Sequence, residues 1–431
     1  MSTLSRFFKR NTRAFSLLLL IGVCFLAAQG SGIRLFSHLF YMLLALLILS
    51  FLWAWSNLHG LDVWRETYAN RAHVGEYARE RLTLRNRWWL PKLWIELRDY
   101  SDLPQHSTGF VASLAGHTRH RWTTRTLCTR RGRFRLGPAT LVTSDPFDIF
   151  RLERRLNRTG EIIVYPPTVD LPHFTLPDTA LSGGRVIHGR TYHVTPNVST
   201  VREYASGDSF NRIHWRTTAR TNRLMVKEFE MDPTADTYIV LDMQERIQVT
   251  DTRAPAHRAS PYNFAVESTE EYAVLAAASL GRHLLAQNRA VGLIAWGRQR
   301  EMLPAERATR QLFKMLETLA ALRAYGTHPL TEVLMAESVR FRRNSTLLII
   351  TAAPDERWTV ALQQLVYQGV RAMVLLVDAQ SFGGWRDPEP VLARLNELGV
   401  LTYRWQQGQP LPEALREPVI VGGHARAFTH S

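Results

Sequence analysis

The alternation of apolar and polar positions changes character twice along this chain. It opens with two nearly unbroken apolar runs: "AFSLLLLIGVCFLAA", Ala14 to Ala28, is uncharged, and "LFSHLFYMLLALLILSFLWAW", Leu35 to Trp55, holds a single His. At 1.5 Å of rise per residue the second spans roughly 30 Å, the thickness of bilayer hydrocarbon. The first spans about 22 Å unless flanking residues join it. Together they predict a two-helix transmembrane hairpin within residues 1–60. For the first run the rival is a cleaved signal peptide, since "FLAAQG" offers small residues near a cut; the second run would still anchor the chain.

From about Asp62 to Tyr165 the period falls to two, as in "RLTLRN", "KLWIELRDY" and "ATLVTSDPF", with Gly and Pro between the runs. That pattern predicts short strands and tight turns, and a small all-β sandwich over residues 61–168. "RRGRFRLGP" sets Phe134 and Leu136 on one face with Arg133 and Arg135 on the other. "SDPFDIF" reads as a turn at Asp145 followed by an apolar plug of Phe147, Ile149 and Phe150.

After Pro233 short β-rich runs ("TYIVLDM", "AVGLIAWG", "STLLIITAA", "RAMVLLVDA", "VLTYRW") alternate with helical stretches such as "STEEYAVLAAASLGRHLLAQN" and "AERATRQLFKMLETLAAL". In the first of these, Tyr272, Leu275, Ala276, Ser279 and Leu280 recur at helical spacing. Residues 233–431 therefore predict a Rossmann-like α/β domain, its parallel sheet covered on both faces and its ligand site at the carboxyl ends of the strands. Asp242, Thr351 to Ala353 and Asp378 stand at those ends.

Residues 169–232 form a linker that carries the densest motif of the chain, "REYASGDSFNRIHWRTTARTNRLMVKEFE", Arg202 to Glu230. Gly207 permits a turn and Asp208 can cap a helix that sets Phe210, Ile213 and Thr217 on one face. Arg220 and Asn222 end that helix, and a strand resumes with Leu224 and Val226 inward. A carboxylate with Arg212 and Arg220 suggests a forked ion pair, with Trp215 packed over the junction. A catalytic reading would rest on His214, Thr217 and Thr218, whose side chains point apart at consecutive positions. A nucleic-acid reading is opposed by Glu203, Asp208, Glu228 and Glu230. The remaining reading is a structural or docking element.

Charge adds orientation. The chain has 53 Lys and Arg against 38 Asp and Glu, a net +15, but the cations are scattered among carboxylates rather than gathered in blocks. Arg6, Lys9, Arg10 and Arg13 precede the first span, Arg34 alone lies between the spans, and Arg65 and Arg71 follow the second. This places both termini and the soluble domains in the cytoplasm, on an inner (cytoplasmic) membrane, with Trp53, Trp55 and Trp64 as its aromatic belt. Cys24 and Cys128 cannot build a disulfide framework or a thiolate zinc site. The pairs His117/His120 and His188/His193 lack a nearby third ligand. Neither a G-x-x-x-x-G-K-[ST] phosphate loop nor a G-x-S-x-G elbow occurs.

"RRGRFRLGP", "TSDPFDIFR" and "IIVYP", the Arg202–Glu230 motif and the strand ending in Asp242 together resemble the domain-of-unknown-function family 58. Within the motif the resemblance rests on Arg202, Tyr204, Gly207, Asp208, Arg212, Ile213 and Trp215. Beyond these it continues through Ala219, Arg220, Leu224, Val226, Lys227 and Glu228. It implies a bacterial or archaeal membrane protein with a C-terminal von Willebrand factor type A-like domain. It further implies partnership with a MoxR-type AAA+ ATPase, often beside a transglutaminase-like membrane protein, and brings no established reaction. Type A domains that bind Mg²⁺ use Asp-x-Ser-x-Ser, a Thr and a strand-end Asp. Here Asp242 is followed by Met-Gln-Glu-Arg, Thr327 fits the Thr position, and Ala352 or Ala353 replaces the Asp. Only remnants at Asp242 and Thr327 survive, so no metal or other cofactor is expected. The expected function is a non-enzymatic adaptor at the lipid bilayer, without nucleic acid. The alternatives are a metal-dependent ligand receptor at Asp242 and Thr327, and an enzyme of unidentified class.

Overall fold

The computed structural model describes residues 12–106, 109–157, 159–176, 198–204, 213–229, 236–251, 262, 266–343 and 345–419. The chain divides into two compact units, the first chiefly residues 1–167 and the second chiefly 168–431.

The first unit begins with two helices, α1 (Thr12–Ser31) and α2 (Arg34–Leu58), joined through Gly32 at φ +64°. At 20 and 25 residues they reach about 30 and 37 Å, so flanking residues do lengthen the first run to bilayer thickness. Ile21 and Cys24 pack on Leu43 between them, while Leu19 and Leu26 face outward bare, 74% and 70% exposed. Both helices are long and apolar enough to cross a membrane.

Ten strands follow: β1 (Leu61–Thr67), β2 (Arg71–His73), β3 (Tyr77–Asn86), β4 (Lys92–Asp99), β5 (Gly109–Leu114), β6 (Arg119–Leu127), β7 (Gly132–Leu136), β8 (Ala139–Ser144), β9 (Arg151–Leu156) and β10 (Gly160–Tyr165). They form sheets ordered β1-β3-β6, β5-β4-β8-β9 and β2-β10-β7. Leu61, Val63, Leu82 and Leu84 from the first sheet share one apolar core with Ile95, Leu97, Phe110 and Leu141 from the second. In β7 Leu136 is buried and Phe134 half-buried, while Arg133 and Arg135 are exposed, as the alternation predicts. The plug after Asp145 is smaller than expected. Ile149 and Phe150 pack on Ala14 and Ala54 of the helices, but Phe147 is 63% exposed. The buried Asp145 carboxylate accepts the backbone N–H of Phe147 at 3.0 Å and of Phe150 at 2.6 Å, and that turn leaves Phe147 outside.

The end of α2 is tied into β4. The buried Lys92 ammonium donates to the carbonyl of Ser56 and lies 4.7 Å from the Trp88 ring. Asn57 donates to the Leu93 carbonyl at 3.3 Å and accepts the Leu93 N–H at 3.4 Å. A cation on the last-turn carbonyls satisfies groups that the helix itself leaves open.

The second unit holds an antiparallel pair, β11 (Val198–Glu203) and β12 (Met225–Phe229), with helix α3 (Trp215–Thr221) between them in sequence. Its main sheet is built from β13 (Thr237–Leu241), β14 (Val291–Trp296), β15 (Arg300–Glu306), β16 (Thr346–Thr351), β17 (Arg371–Val377) and β18 (Leu401–Trp405) in the order β15-β14-β13-β16-β17-β18. Every neighbouring pair is parallel except β14 with β15. The helices are α4 (Thr269–Ala286), α5 (Thr309–Ala321), α6 (Leu330–Glu337), α7 (Arg357–Tyr367), α8 (Glu389–Glu397) and α9 (Leu411–Ala414). Residues of α6, α7 and α8 cluster with Val240, Ile349 and Val374 on one face. On the other face Gly281 of α4 lies over Ile239, where a methyl would already meet Met315.

Two expectations change here. "AERATRQLFKMLETLAAL" is helical only from Thr309, because Ala305 and Glu306 complete β15, which folds back on β14. The predicted stripe on α4 widens until Ala273, Val274, Ala277 and Ala278 are buried too. Residues 169–174 cover the outer side of this helix, where the Val169 N–H donates to Ser279 Oγ at 3.0 Å and the Phe174 carbonyl meets His283 Nε2 at 2.9 Å.

Candidate functional site

The strand order reverses between β13 and β16, and in a doubly wound sheet that switch point is the usual ligand crevice. Asp242 leaves β13 there, 4% exposed. Its Oδ2 accepts the Thr351 hydroxyl at 2.7 Å and its Oδ1 the Gln244 N–H at 3.2 Å. Thr351 Oγ1 in turn accepts the Ala353 N–H at 2.9 Å. Burial, opposed by the bonds from Thr351 and Gln244, pushes the Asp242 carboxyl up to about 6. Gly326 bridges to Gln244 and carries Thr327 onto the adjacent loop, where Thr327 is exposed.

This donor set does not fit Mg²⁺, which needs a near-octahedral shell of oxygens. Met243, Ala352 and Ala353 are buried carbon where ligands would stand, and both Asp242 oxygens are already in bonds that close the loop. Asp242 is a loop cap. At the end of β17 the buried Asp378 likewise accepts the Gln380 N–H at 3.0 Å and the Arg404 fork at 2.8 and 3.0 Å. Arg404 reaches on to Glu389 at 2.9 Å, so this strand end too is closed by its own side chains.

The motif has the opposite character. The described helix starts at Trp215 with His214 as its cap, because His214 Nδ1 receives the Thr217 N–H at 3.2 Å and meets Thr217 Oγ1 at 2.6 Å. The two side chains expected to point apart therefore meet, since three residues is the spacing from cap to first turn. Thr218 Oγ1 instead accepts the Met225 N–H at 3.0 Å. His214 Nδ1 is thus shared between the backbone N–H and the hydroxyl of Thr217.

Ile213 and Val226 are each 3% exposed and bridge to each other, and Asn222 ends the helix at φ +53°. Tyr204 N donates to the Leu224 carbonyl at 2.8 Å, but the Leu224 side chain is 42% exposed, not inward. Trp215, expected over the junction, is 67% exposed, with Arg216, Ala219 and Arg220 also at the surface. On the strands Arg202 lies opposite Val226, Lys227 opposite Val201, and Glu228 opposite Thr200. Gly207, Asp208 and Arg212 lie outside the described residues, and so does the ion pair expected of Arg212.

A third constellation went unnoticed in the sequence. Arg65 of β1, Glu80 of β3, Asp99 of β4 and His106 after it are all buried side chains. His106 Nε2 lies 2.9 Å from Asp99 Oδ2, and its Nδ1 lies 3.1 Å from Thr126 Oγ1 and 3.9 Å from Glu80 Oε1. Arg65 contacts Asp99 directly and Glu80 at 3.8 Å. Burial pushes the Glu80 carboxyl up, against the charges of Arg65 and His106 and with a push from Asp99. Burial would raise Asp99 as well, but hydrogen bonds from His106 and Arg65, with their charges, hold it below the ordinary range. Glu80, Asp99 and His106 bring donor atoms within 4.8 Å of one another, as a cation site would. Arg65 already supplies that positive charge, so the group reads as a clamp between the two sheets. The signal was phase: Arg65, Glu80 and Asp99 each stand two residues from a buried apolar neighbour on the same strand (Val63, Ala78, Leu97).

Comparison with known proteins agrees with the motif. The family profile described as "Protein of unknown function DUF58" matches residues 200–380. The uncharacterized protein YeaD of Bacillus subtilis (strain 168) is 22% identical over 316 residues, 70% of this chain and 72% of that one. Among solved structures, a CARDB domain from Pyrococcus furiosus aligns at 18% identity over 24% of this chain and 94% of its own, with a TM-score of 0.19. A beta-glucosidase from Listeria innocua aligns at 12% identity over 24% and 16%, with a TM-score of 0.16.

Proposed function

We propose that this protein is a non-enzymatic adaptor anchored in the bacterial inner membrane by α1 and α2, which presents its cytoplasmic domains to a MoxR-type AAA+ ATPase during assembly or maturation of a complex. The observation that carries this reading is the surface of the motif. Trp215, at 67% exposure, stands with exposed Arg216 and Arg220, and tryptophan and arginine are enriched among the energetically dominant contacts of protein interfaces. The strand ends where an α/β fold ordinarily works are meanwhile occupied by their own side chains. A type A-like reading of the C-terminal domain is supported by the strand order, which is 3-2-1-4-5-6 when β13 is counted first. The anchor is supported by the bare outer faces of two helices that a soluble core would have buried.

A pull-down of the full-length chain from mild detergent tests this. An AAA+ ATPase should co-purify with the wild type, and Trp215→Ala or Arg220→Glu should release it while the thermal unfolding curve stays in place. Equal recovery of the ATPase with both folded variants would refute docking through the motif. A transglutaminase-like membrane protein in the same eluate would extend the reading to a larger assembly.

A further inference from the structure

The second unit contains a cavity of about 650 Å³ lined by Asp236, Tyr238, Arg300, Val339, Arg340 and Arg342, among others. Neither Asp242 nor Asp378 is among its lining residues. Two of its lining arginines are held by Glu337, whose carboxylate is fully buried at the end of α6. Glu337 Oε1 accepts Arg300 Nε at 2.7 Å and Trp296 Nε1 at 3.1 Å, and Oε2 accepts Arg300 Nη2 at 2.9 Å and Arg340 Nε at 2.9 Å. Burial would raise this carboxyl, but the bonds from Arg300 and Trp296 hold it below the ordinary range, so it stays an anion.

One buried carboxylate thus grips two arginines by their Nε edges. Among the described residues, both Nη groups of Arg340 and Nη1 of Arg300 remain to serve a ligand, and both side chains are close to half exposed. The side chain of Arg342, also exposed, has no hydrogen bond or ion pair among the described residues. Guanidinium forks held in advance lose little freedom on binding an oxyanion, which is why arginine outperforms lysine at such sites. The cavity is concave and of small-molecule size. Asp236 on its wall repels a broadly acidic surface but accepts a hydroxyl.

We propose that this cavity binds a small phosphorylated, hydroxyl-bearing molecule, with the phosphoryl oxygens held by Arg300, Arg340 and Arg342 and a hydroxyl donated to Asp236. The test is calorimetry on the full-length chain in mild detergent, titrated with inorganic phosphate, ribose 5-phosphate and hexaglutamate. Saturable binding is expected for both phosphates, about tenfold tighter for the sugar phosphate because of the added hydroxyl contacts. Arg342→Ala, at an exposed side chain, and Arg340→Ala, which leaves Glu337 its bonds from Arg300 and Trp296, should each weaken both phosphates about tenfold. Asp236→Ala should erase the advantage of the sugar phosphate and leave inorganic phosphate binding in place. The proposal is overturned if neither phosphate binds saturably, if both arginine variants bind as the wild type does, or if hexaglutamate binds more tightly than ribose 5-phosphate.

Discussion

Two buried carboxylate sites, one from each unit, are compensated in different ways, although the second unit also pairs buried Glu337 and Asp378 with arginines. In the β region Arg65, Glu80, Asp99 and His106 are buried together, each carboxylate against a cationic or ionisable partner. In the α/β region the Asp242 carboxylate is, among the described residues, bonded to a hydroxyl and a backbone N–H alone. In the first arrangement Asp99 is held below the ordinary range while burial still pushes Glu80 above it; in the second Asp242 rises to about 6. Neutral partners can satisfy the hydrogen bonds of a carboxylate without stabilising its charge. A clamp that links two sheets needs the charge-compensated form, whereas a loop cap works with either.

The largest effect should come from breaking the compensated side. Arg65→Met leaves Glu80 and Asp99 buried without their guanidinium and should cost about 3 kcal/mol or more, read as a clear fall in the unfolding temperature of the detergent-solubilised chain. A double variant, Arg65→Met with Glu80→Gln, should recover part of that loss. If the single change is silent, the cluster is no clamp.

Next comes the neutral side, through pH. The folded Asp242 carboxyl lies above its unfolded value, so its contribution is fully present below about pH 4 and is lost as pH rises through about 6. The rise from 3.8 to about 6 is worth roughly 3 kcal/mol at most. Asp242→Asn should therefore gain stability relative to wild type between pH 5 and pH 8. A stability difference that does not change with pH would show that Asp242 is ionised at little cost. Smaller again is the cap of α3. His214→Ala removes the acceptor for the Thr217 N–H and should cost about 1 kcal/mol, with Trp215→Ala near zero.

Much of this architecture is legible in the chain because apolar period reports it directly. The five runs read as strands became β13, β14, β16, β17 and β18. What escaped was context. β15 carries Arg300, Glu301, Pro304 and Glu306, too polar for a strand by composition, and forms because it pairs with β14 across a short turn. Trp215 was expected to pack over the junction, while the buried faces nearby were taken by Ile213 and Val226. Of the candidate sites, Asp242 and Thr327 were legible by position. The Glu80, Asp99 and His106 group was not, since its members come from separate strands and a loop that only pairing brings together.

Lys92 and Asn57 tie the end of α2 to the start of β4, and that joint has a mechanical consequence. A globule on a slack tether would absorb a tug by straightening its leash. Here no leash exists between helix and strand, so a lateral push or a change of tilt in the hairpin must turn the β sheets with it, as a handle turns a key.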